Sequence, residues 1–366
     1  MARILILGAK VPYTHGGQEI LVATLLKHIK ARGHEVDVLE LPFNPLPKQN
    51  LLTQAAMWRA LDLSQFAGAK IDLVIATKFP TYFARHPKKS VWLVHQLRSL
   101  YDLHGGPYSD MGDDPRDEEL RRMITDGDTM TLGECAYRGA ISKNVSERLQ
   151  AYNGLSSTVL YPPLPLGERY QNRATKPYIL SVGRICRIKR LDLMLHAMKH
   201  VDPALSLKVV GVADEPGVME YANNIIKGHD IGRRVEFLGR VSDEVLIDLY
   251  AEASGVYYAP FDEDYGYVTL EAMASGRPVV TAVDSGGTLE FVRDGENGFV
   301  VRPEPLLIAH AFNELARDPQ MARRMGAQGR ALIERSGMLA AGWDTLLDAL
   351  LSPLADGCET KADKAA

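Results

Sequence analysis

Short apolar strands alternate with amphipathic helices along most of the 366 residues, and this alternation predicts an α/β fold with two mainly parallel sheets. The length favours about two domains, each large enough for its own core. Three prolines at positions 162, 163 and 165 interrupt the alternation near the middle of the chain. We therefore expect a first domain over residues 1–163 and a second over residues 164–336.

The first half begins with a predicted strand at residues 4–8, and further strands are predicted at 34–41, 71–77 and 91–94. The helix after the first strand places Leu21, Leu25 and Ile29 on one stripe. It is expected to end at Gly33 in a left-handed conformation. A later helix starts at Asp114-Pro115, where an acidic cap precedes a proline at the first helical position.

The second half repeats the pattern, with strands predicted at 178–183, 206–211, 235–239, 255–260, 278–283 and 298–301. A final apolar helix that carries Trp343 is expected within 337–354. The tail 355–366 is polar and is expected to be disordered.

The composition excludes several classes of protein. A formal net charge of −4 and the lack of a lysine- or arginine-rich block argue against general nucleic-acid binding. No apolar run approaches the ~18 residues of a membrane span, and the first apolar run reads as a strand rather than a signal peptide. Cys135, Cys186 and Cys358 are too few and too widely spaced for a disulfide framework or a zinc knuckle, which favours a reducing, cytoplasmic setting.

Two glutamates carry the most informative pattern in the chain. Glu263 follows an apolar strand, and Glu271 lies eight residues later on a short helix that ends at Gly276. Ligands of open α/β sheets bind outside the carboxyl ends of the strands, and free amides at a helix start can hold an anion or sugar oxygens. A retaining-glycosidase pair is disfavoured because one carboxylate is in the loop and the other on the helix behind it. Binding of sugar hydroxyls and of a ribose suits them better.

Two further segments could bind phosphate. Gly183 ends the first strand of the second domain, and Arg184 and Lys189 after it can converge on a diphosphate. A solvated basic loop is the alternative. Gly16 and Gly17 follow the first strand of the chain and precede a helix, so their amides could approach phosphate or sugar, although a glycine pair is more often a simple turn.

These motifs together resemble the family 4 glycosyltransferases, a retaining family with the GT-B fold. That fold has two Rossmann-like domains that face each other across a cleft, with a C-terminal helix that returns to the first domain. The family's E-x7-E motif appears here as Glu263 and Glu271, and its G-R-x4-K loop as Arg184 and Lys189. Its N-terminal glycine pair corresponds to Gly16-Gly17, and segments 32–36, 285–290 and 297–299 also resemble it.

The resemblance implies a role for each motif residue. Arg184 and Lys189 would hold the donor's diphosphate and stabilise the leaving group, and Glu271 would bind the ribose. Glu263 would contact hydroxyls of the transferred sugar, and His95 would lie near the reacting sugar on the acceptor side. The remaining residues implied to line the donor site are Gly16, Gly17, Val241 beside the base, Asp264, Tyr265, Gly266, Tyr267 and Val268.

The resemblance thus predicts an enzyme that moves a sugar from a nucleoside diphosphate sugar to a hydroxyl of a glycan, a lipid-linked or a small-molecule acceptor. No cofactor and no metal are expected, since two cations and helix amides can neutralise the leaving group. A nucleotide-sugar 2-epimerase of the same fold and a non-catalytic nucleotide-sugar-binding protein are the alternatives. The donor sugar, the base, the acceptor and the oligomeric state stay open.

Three features depart from the usual pattern of the family. Arg190 replaces a glycine that is common after the lysine and is expected to add positive charge near the phosphates. Asp264 stands where a small or neutral residue is usual, and the acidic stretch 110–119 is either a solvated loop or a shaper of acceptor choice. Peripheral membrane contact is also open, with residues 85–89 as a thin basic patch.

Overall fold

The computed structural model describes residues 1–12, 16–66, 68–112, 114–339 and 342–355. The chain divides into two compact units. The first comprises Met1–Pro165 together with the chain from Gly342 onward, and the second comprises Leu166–Ala341. Each unit is an α/β structure with its own six-stranded sheet, as the alternation of strands and helices predicts.

The first unit is built on a parallel sheet with the strand order β2-β1-β5-β6-β7-β8. A small antiparallel hairpin, β3 with β4, stands apart from it. The central strands are buried on both faces, which explains why their sequences are continuously apolar. The strands are β1 (Arg3–Lys10), β2 (Glu35–Pro42), β3 (Gln65–Phe66), β4 (Ala69–Lys70), β5 (Leu73–Lys78), β6 (Lys89–His95), β7 (Tyr137–Ala140) and β8 (Thr158–Val159).

Four helices of this unit lie between its strands: α1 (Gly17–Ala31), α2 (Asn50–Ala60), α3 (Pro115–Gly133) and α4 (Lys143–Asn153). The predicted stripe of α1 is buried, and the chain leaves the helix through Gly33 at a φ of 81°. The predicted start of α3 is also confirmed, because the Asp114 side chain accepts a hydrogen bond from the backbone amide of Arg116.

The second unit has the parallel strand order β11-β10-β9-β12-β13-β14. Its strands are β9 (Tyr178–Val182), β10 (Ser206–Val210), β11 (Val235–Gly239), β12 (Gly255–Tyr257), β13 (Val279–Ala282) and β14 (Gly298–Val301). Its helices are α5 (Leu191–Ala197), α6 (Val218–Gly228), α7 (Asp243–Glu252), α8 (Tyr267–Ala274), α9 (Pro305–Arg317) and α10 (Pro319–Arg335). The strand order reverses between β9 and β12, and such a point opens a crevice at the carboxyl ends of the strands.

The last described helix, α11 (Trp343–Leu351), packs on β6 and β7 of the first unit, as the resemblance implied. The His28 ring stacks on the Trp343 ring with centroids 4.3 Å apart, and Ser90 Oγ donates to the Leu350 carbonyl at 2.7 Å. Arg32 at the end of α1 donates to Asp344 and Asp348. Residues 356–366, expected to be a disordered tail, lie outside the described part of the chain.

Four strands of the first unit, β3, β4, β7 and β8, were not predicted, since each is only two to four residues long and carries little apolar pattern. The basic patch at residues 85–89 is only partly at the surface, with Arg85 exposed and Lys88 half-buried. Lys89 is 1% exposed, and its ammonium donates to the carbonyls of Tyr82, Ala84 and Thr131. Within the described residues, no helix is both long enough and apolar enough to cross a membrane.

A buried carboxyl group in the first unit makes its stability depend on pH. Asp128 on α3 is 0% exposed and accepts a hydrogen bond from Tyr101 Oη at 2.6 Å. Burial raises the pKa of Asp128 to about 7, and this outweighs the opposing effect of the hydrogen bonds. An aspartate in an unfolded chain has a pKa of about 3.9. The folded state therefore holds this proton more tightly than the unfolded state does.

We predict that Asp128→Asn is more stable than the wild type at pH 8 and nearly equal to it at pH 4. A raised folded-state pKa gives stability that is complete below pH ~4 and is lost as the pH rises towards ~7, whereas the amide stays neutral throughout. Urea unfolding followed by circular dichroism at both pH values measures this. Asp126→Asn, at an exposed position of the same helix, is the control, and a loss of stability in Asp128→Asn that is equal at both pH values would contradict the prediction.

Candidate functional site

The candidate site of the second unit lies where β9 and β12 run side by side. The two strands pair in parallel, with Ile179 opposite Gly255 and Ser181 opposite Tyr257. Their carboxyl ends therefore release two loops next to each other, residues 183–190 after β9 and residues 258–266 after β12. This neighbourhood brings the basic motif and the first glutamate of the acidic motif together, although they are more than 70 residues apart in sequence.

Lys189 and Glu263 form an ion pair at this point. The Lys189 ammonium donates to Glu263 Oε2, and both side chains are less than one-fifth exposed. Tyr258 Oη donates to the same carboxylate oxygen at 2.9 Å and lies 3.2 Å from the Lys189 ammonium. Burial by itself would raise the pKa of Glu263, but the charge of Lys189 and the hydrogen bonds from Lys189 and Tyr258 more than offset it and lower the pKa. The carboxylate is therefore ionised at neutral pH.

The other basic residues of the 183–190 loop have different partners. Arg184 pairs with Asp214, and its side chain is about half exposed. Arg187 lies 3.4 Å from Glu215 and is more exposed still. Arg184, Lys189 and Gly183 line one small pocket with Tyr258. Arg184 and Lys189 thus share a pocket, while Arg187 is paired outside it.

The loop that carries Glu263 is joined to the loop after β13 by backbone hydrogen bonds. The Asp262 amide donates to the Asp284 carbonyl at 2.8 Å, and the Gly287 amide donates to the Glu263 carbonyl at 2.7 Å. Gly287 permits this approach, since a Cβ there would lie 2.5 Å from the Asp264 carbonyl oxygen. Glu263 therefore stands on a loop whose backbone is held by a second loop.

Helix α8 begins directly after this loop. Gly266 precedes it at a φ of 85°, and a Cβ at that position would lie 3.0 Å from Tyr258 and 3.2 Å from Thr288 Oγ1. The Tyr265 ring packs edge-on against Tyr267 and Phe291, so its side chain is part of the core. Tyr265 can therefore contact a ligand only through its backbone. The backbone of Gly266 and the first-turn amides of Tyr267 and Val268 can also contact one. Asp264 lies between Glu263 and this turn and is half-buried.

Glu271 occupies the next turns of α8, in an environment unlike that of Glu263. Tyr250 Oη donates to Glu271 Oε2 at 2.7 Å, and the Tyr170 ring packs edge-on against Tyr250. Burial raises the pKa of Glu271, and the tyrosine hydroxyls oppose that effect without cancelling it. Val241, expected beside a base, follows the end of β11 and is half-buried, and Gly239 before it has a φ of 64°.

Arg190 does not add positive charge to this pocket, so that expectation was wrong. Its guanidinium is buried and makes a bidentate ion pair with Asp284, with hydrogen bonds of 2.7 and 2.8 Å. It also donates to the carbonyls of Ala259 and Pro260, and it is not among the residues that line the pocket of Arg184 and Lys189.

The remaining predicted residues belong to the first unit. Gly16 caps α1, and its amide donates to Glu19 Oε2 at 2.7 Å, so this amide is satisfied within its own helix. Gly17 is the first residue of α1. His95 ends β6, where its Nδ1 lies 2.6 Å from the Gln96 carbonyl. These residues lie at the carboxyl ends of β1 and β6, the edge at which parallel sheets bind ligands.

Several acidic residues of the stretch 110–119 have their partners within the first unit. Asp117 pairs with Lys48 at 2.5 Å and accepts the Gly112 amide, and Glu118 pairs with Arg121 on the same helix. Asp113 lies outside the described residues.

Comparisons with known proteins identify the family of this chain. Residues 168–332, nearly the whole second unit, match the family "Glycosyl transferases group 1". A D-inositol 3-phosphate glycosyltransferase of Streptomyces bingchenggensis is 31% identical over 358 residues, which is 89% of this chain and 74% of the relative. The chain belongs to the group 1 glycosyltransferases. The resemblance that the motifs indicated is thereby confirmed.

Two further comparisons extend this result. Human alpha-1,3/1,6-mannosyltransferase ALG2 is 31% identical over 211 residues, so the match spans about half of each protein (51% of this chain and 50% of ALG2). The structure of Anabaena HepE in complex with UDP-glucose superposes with a TM-score of 0.74 over 96% of this chain and 100% of the other, at 18% identity. At that identity the likeness shows the fold, which is GT-B in both.

Several residues around the site of this glycosyltransferase were missed in the sequence. Tyr258, Tyr250 and Tyr170 contact or surround the two glutamates, but each belongs to an apolar strand, a helix or a linker and carries no motif of its own. Asp284 was also missed. The signal that could have revealed it is an acidic residue directly after a buried strand, in a chain that has an arginine at position 190 where the family commonly has glycine.

We predict that Lys189 and Glu263 are energetically coupled. Lys189→Met leaves a buried carboxylate without its cation, and Glu263→Gln leaves the ammonium without its anion, so each should cost about 1–3 kcal/mol of stability. The double variant should lose less than the sum of the two, because neither charge is then unpaired. Urea unfolding of all four proteins measures the coupling.

The more exposed pair of Arg187, in the same loop as Lys189, and Glu215, in the segment after β10, provides the matched control. The cycle of Arg187→Met and Glu215→Gln should give a coupling of about 0–1 kcal/mol. An equally small coupling for Lys189 and Glu263 would contradict the prediction.

Proposed function

We propose that this protein transfers a sugar from a nucleoside diphosphate sugar to a hydroxyl group, with retention of anomeric configuration and without a metal ion. The observation that carries the proposal is the pairing of Lys189 with Glu263 beside Arg184, at the carboxyl ends of β9 and β12. A cation for a diphosphate and an ionised carboxylate for a sugar are thus placed side by side.

Departure of a nucleoside diphosphate builds negative charge on its phosphate oxygens. Arg184 and Lys189 can neutralise that charge, and preorganised cations of this kind lower the barrier for a charged leaving group. Each charge-assisted contact contributes about 1.5–3 kcal/mol. Before the donor binds, both cations are paired with carboxylates, Arg184 with Asp214 and Lys189 with Glu263. The diphosphate replaces these partners, so neither cation stands unpaired in the free protein.

Glu263 acts as a hydrogen-bond acceptor for hydroxyls of the transferred sugar. Its lowered pKa keeps it ionised, and release from Lys189 on donor binding frees its oxygen for the sugar. The backbone of Asp264 to Val268 lies between the two glutamates along the chain and supplies amides to the donor. Glu271 binds the ribose, with one oxygen held by Tyr250 and the carboxyl group oriented by it. Val241 lies beside the base.

His95 at the carboxyl end of β6 serves the acceptor, and the backbone of Gly16 and Gly17 at the start of α1 serves the donor. The acceptor is a hydroxyl of a glycan, a lipid-linked molecule or a small metabolite. Two relatives support this range, since one is named a mannosyltransferase and another an inositol-phosphate glycosyltransferase. HepE, which shares the fold, was solved with UDP-glucose and supports a nucleotide-sugar donor.

The test is a thermal-shift screen against UDP, GDP, ADP and dTDP and their common sugars, followed by a transfer assay with the donor that binds. A nucleotide at a hundred times its Kd should stabilise the protein by about 2.7 kcal/mol. Lys189→Met should weaken binding of that nucleotide about 10- to 100-fold, because one charge-assisted contact is lost. Arg187→Met, in the same loop but paired with Glu215, should bind like the wild type.

Donor incubated without acceptor separates the alternatives. A transferase at most hydrolyses it slowly, a 2-epimerase converts it to the epimer, and a binding protein leaves it unchanged. No stabilisation by any nucleotide, or equal weakening in Lys189→Met and Arg187→Met, would contradict the proposed donor site.

A further inference from the structure

The side chain of Arg190 joins three segments of the second unit. Its Nε donates to the Ala259 carbonyl at 2.8 Å, and one terminal nitrogen donates to the Pro260 carbonyl at 2.8 Å. Both terminal nitrogens also donate to Asp284. The guanidinium thus links the start of α5, the end of β12 and the loop after β13.

Several observations show that more than one contact holds the Arg190 side chain and backbone in this position. Arg190 itself has a φ of 51°, a left-handed conformation that disfavours residues with a Cβ. The Arg190 carbonyl accepts a hydrogen bond from Tyr257 Oη at 2.7 Å, which fixes the backbone at the same point. The guanidinium lies over the Phe261 ring, and its side chain is 7% exposed. A charge buried to this extent needs its counter-ion, so Arg190 and Asp284 act as a unit.

The segments that Arg190 joins are those that carry the donor-binding groups. Lys189 is its neighbour in the chain, and Ala259 and Pro260 lead directly into the loop of Glu263. Asp284 begins the segment whose backbone is hydrogen-bonded to that loop through Asp262 and Glu263. Glu271 is held separately by Tyr250 and does not depend on this link.

We propose that Arg190 and Asp284 form a strut that positions Lys189 and Glu263 for the reaction without touching the donor. The inference rests on the proposed function for its kinetic consequence, while the strut itself can be tested without any substrate. It assigns a positioning role to a residue at which the family commonly has glycine.

Arg190→Gly is the sharpest variant, because glycine adopts the left-handed conformation without strain and only the side-chain contacts are lost. In this variant we expect kcat to fall at least tenfold, since Glu263 is no longer held at the position from which it contacts the sugar hydroxyls. Affinity for the nucleoside diphosphate alone should fall less than in Lys189→Met, since the Lys189 ammonium is still present and Arg184 and Glu271 have supports of their own. Millimolar guanidinium chloride should restore part of kcat, whereas sodium chloride at equal ionic strength should not.

Hydrogen exchange provides the arm that needs no activity. The Asp262 and Gly287 amides should exchange faster in Arg190→Gly and in Asp284→Asn than in the wild type. Arg190→Lys should give an intermediate result, because one ammonium cannot replace a bidentate pair and two carbonyl contacts at once. Arg187→Gly, from the same loop, should leave exchange at both amides unchanged and controls for the introduction of glycine.

The outcomes separate the strut from the proposed function. Faster exchange at these amides together with a loss of kcat that guanidinium restores supports the positioning role. Unchanged exchange in Arg190→Gly and Asp284→Asn overturns the strut, whatever the activity. Faster exchange with an unchanged kcat overturns the positioning role. If the wild type transfers no sugar from any nucleotide donor, the proposed function fails, and the exchange result still decides whether the strut exists.

Discussion

The arrangement of the second unit depends on one ion pair at the point where its strand order reverses. Lys189 follows β9, Glu263 follows β12, and the two strands are neighbours in the sheet, so the charges meet although they are distant in sequence. The pair is largely shielded from water, and Tyr258 hydrogen-bonds to the shared carboxylate oxygen. Under the proposed function, the pair keeps the cation in place for a diphosphate and keeps the carboxylate ionised for a sugar. The site is thus charge-balanced before any ligand arrives.

The two glutamates of one motif are given different properties by their neighbours. Glu263 faces a lysine, and its pKa is lowered, whereas Glu271 is surrounded by tyrosines and has a raised pKa. A pair of carboxyl groups with separated pKa values can perform separate tasks. Under the proposed function, accepting hydrogen bonds from hydroxyls of the transferred sugar suits the ionised one, while ribose hydroxyls can be oriented by a carboxyl group of either form, since both forms hydrogen-bond. The eight-residue spacing places the two in one segment, and the surrounding side chains then distinguish them.

Much of the fold was readable in the sequence because long apolar strands and amphipathic helices have a strong period. The stripe of α1, the cap of α3 and the return of α11 were all predicted correctly. The short strands β7 and β8 were missed, since two to four residues give no period, and their pairing is decided by the strands beside them. The motif residues could be named, but the partners of Arg184 and Lys189 could not, because Asp214 and Tyr258 are brought near only by the fold. Arg190 was misread for the same reason. An arginine next to a phosphate-binding motif suggests a further phosphate contact, and only the position of Asp284 in the fold shows that the Arg190 guanidinium is paired within the protein.

The most direct measurement is a crystal structure of the protein with its nucleoside diphosphate sugar, compared with the unliganded protein at the Lys189 ammonium. We predict that the ammonium leaves Glu263 and lies within hydrogen-bond distance of a diphosphate oxygen, and that the Glu263 carboxylate then contacts a hydroxyl of the sugar. A donor bound elsewhere, or bound here with the ion pair of Lys189 and Glu263 intact, would contradict it.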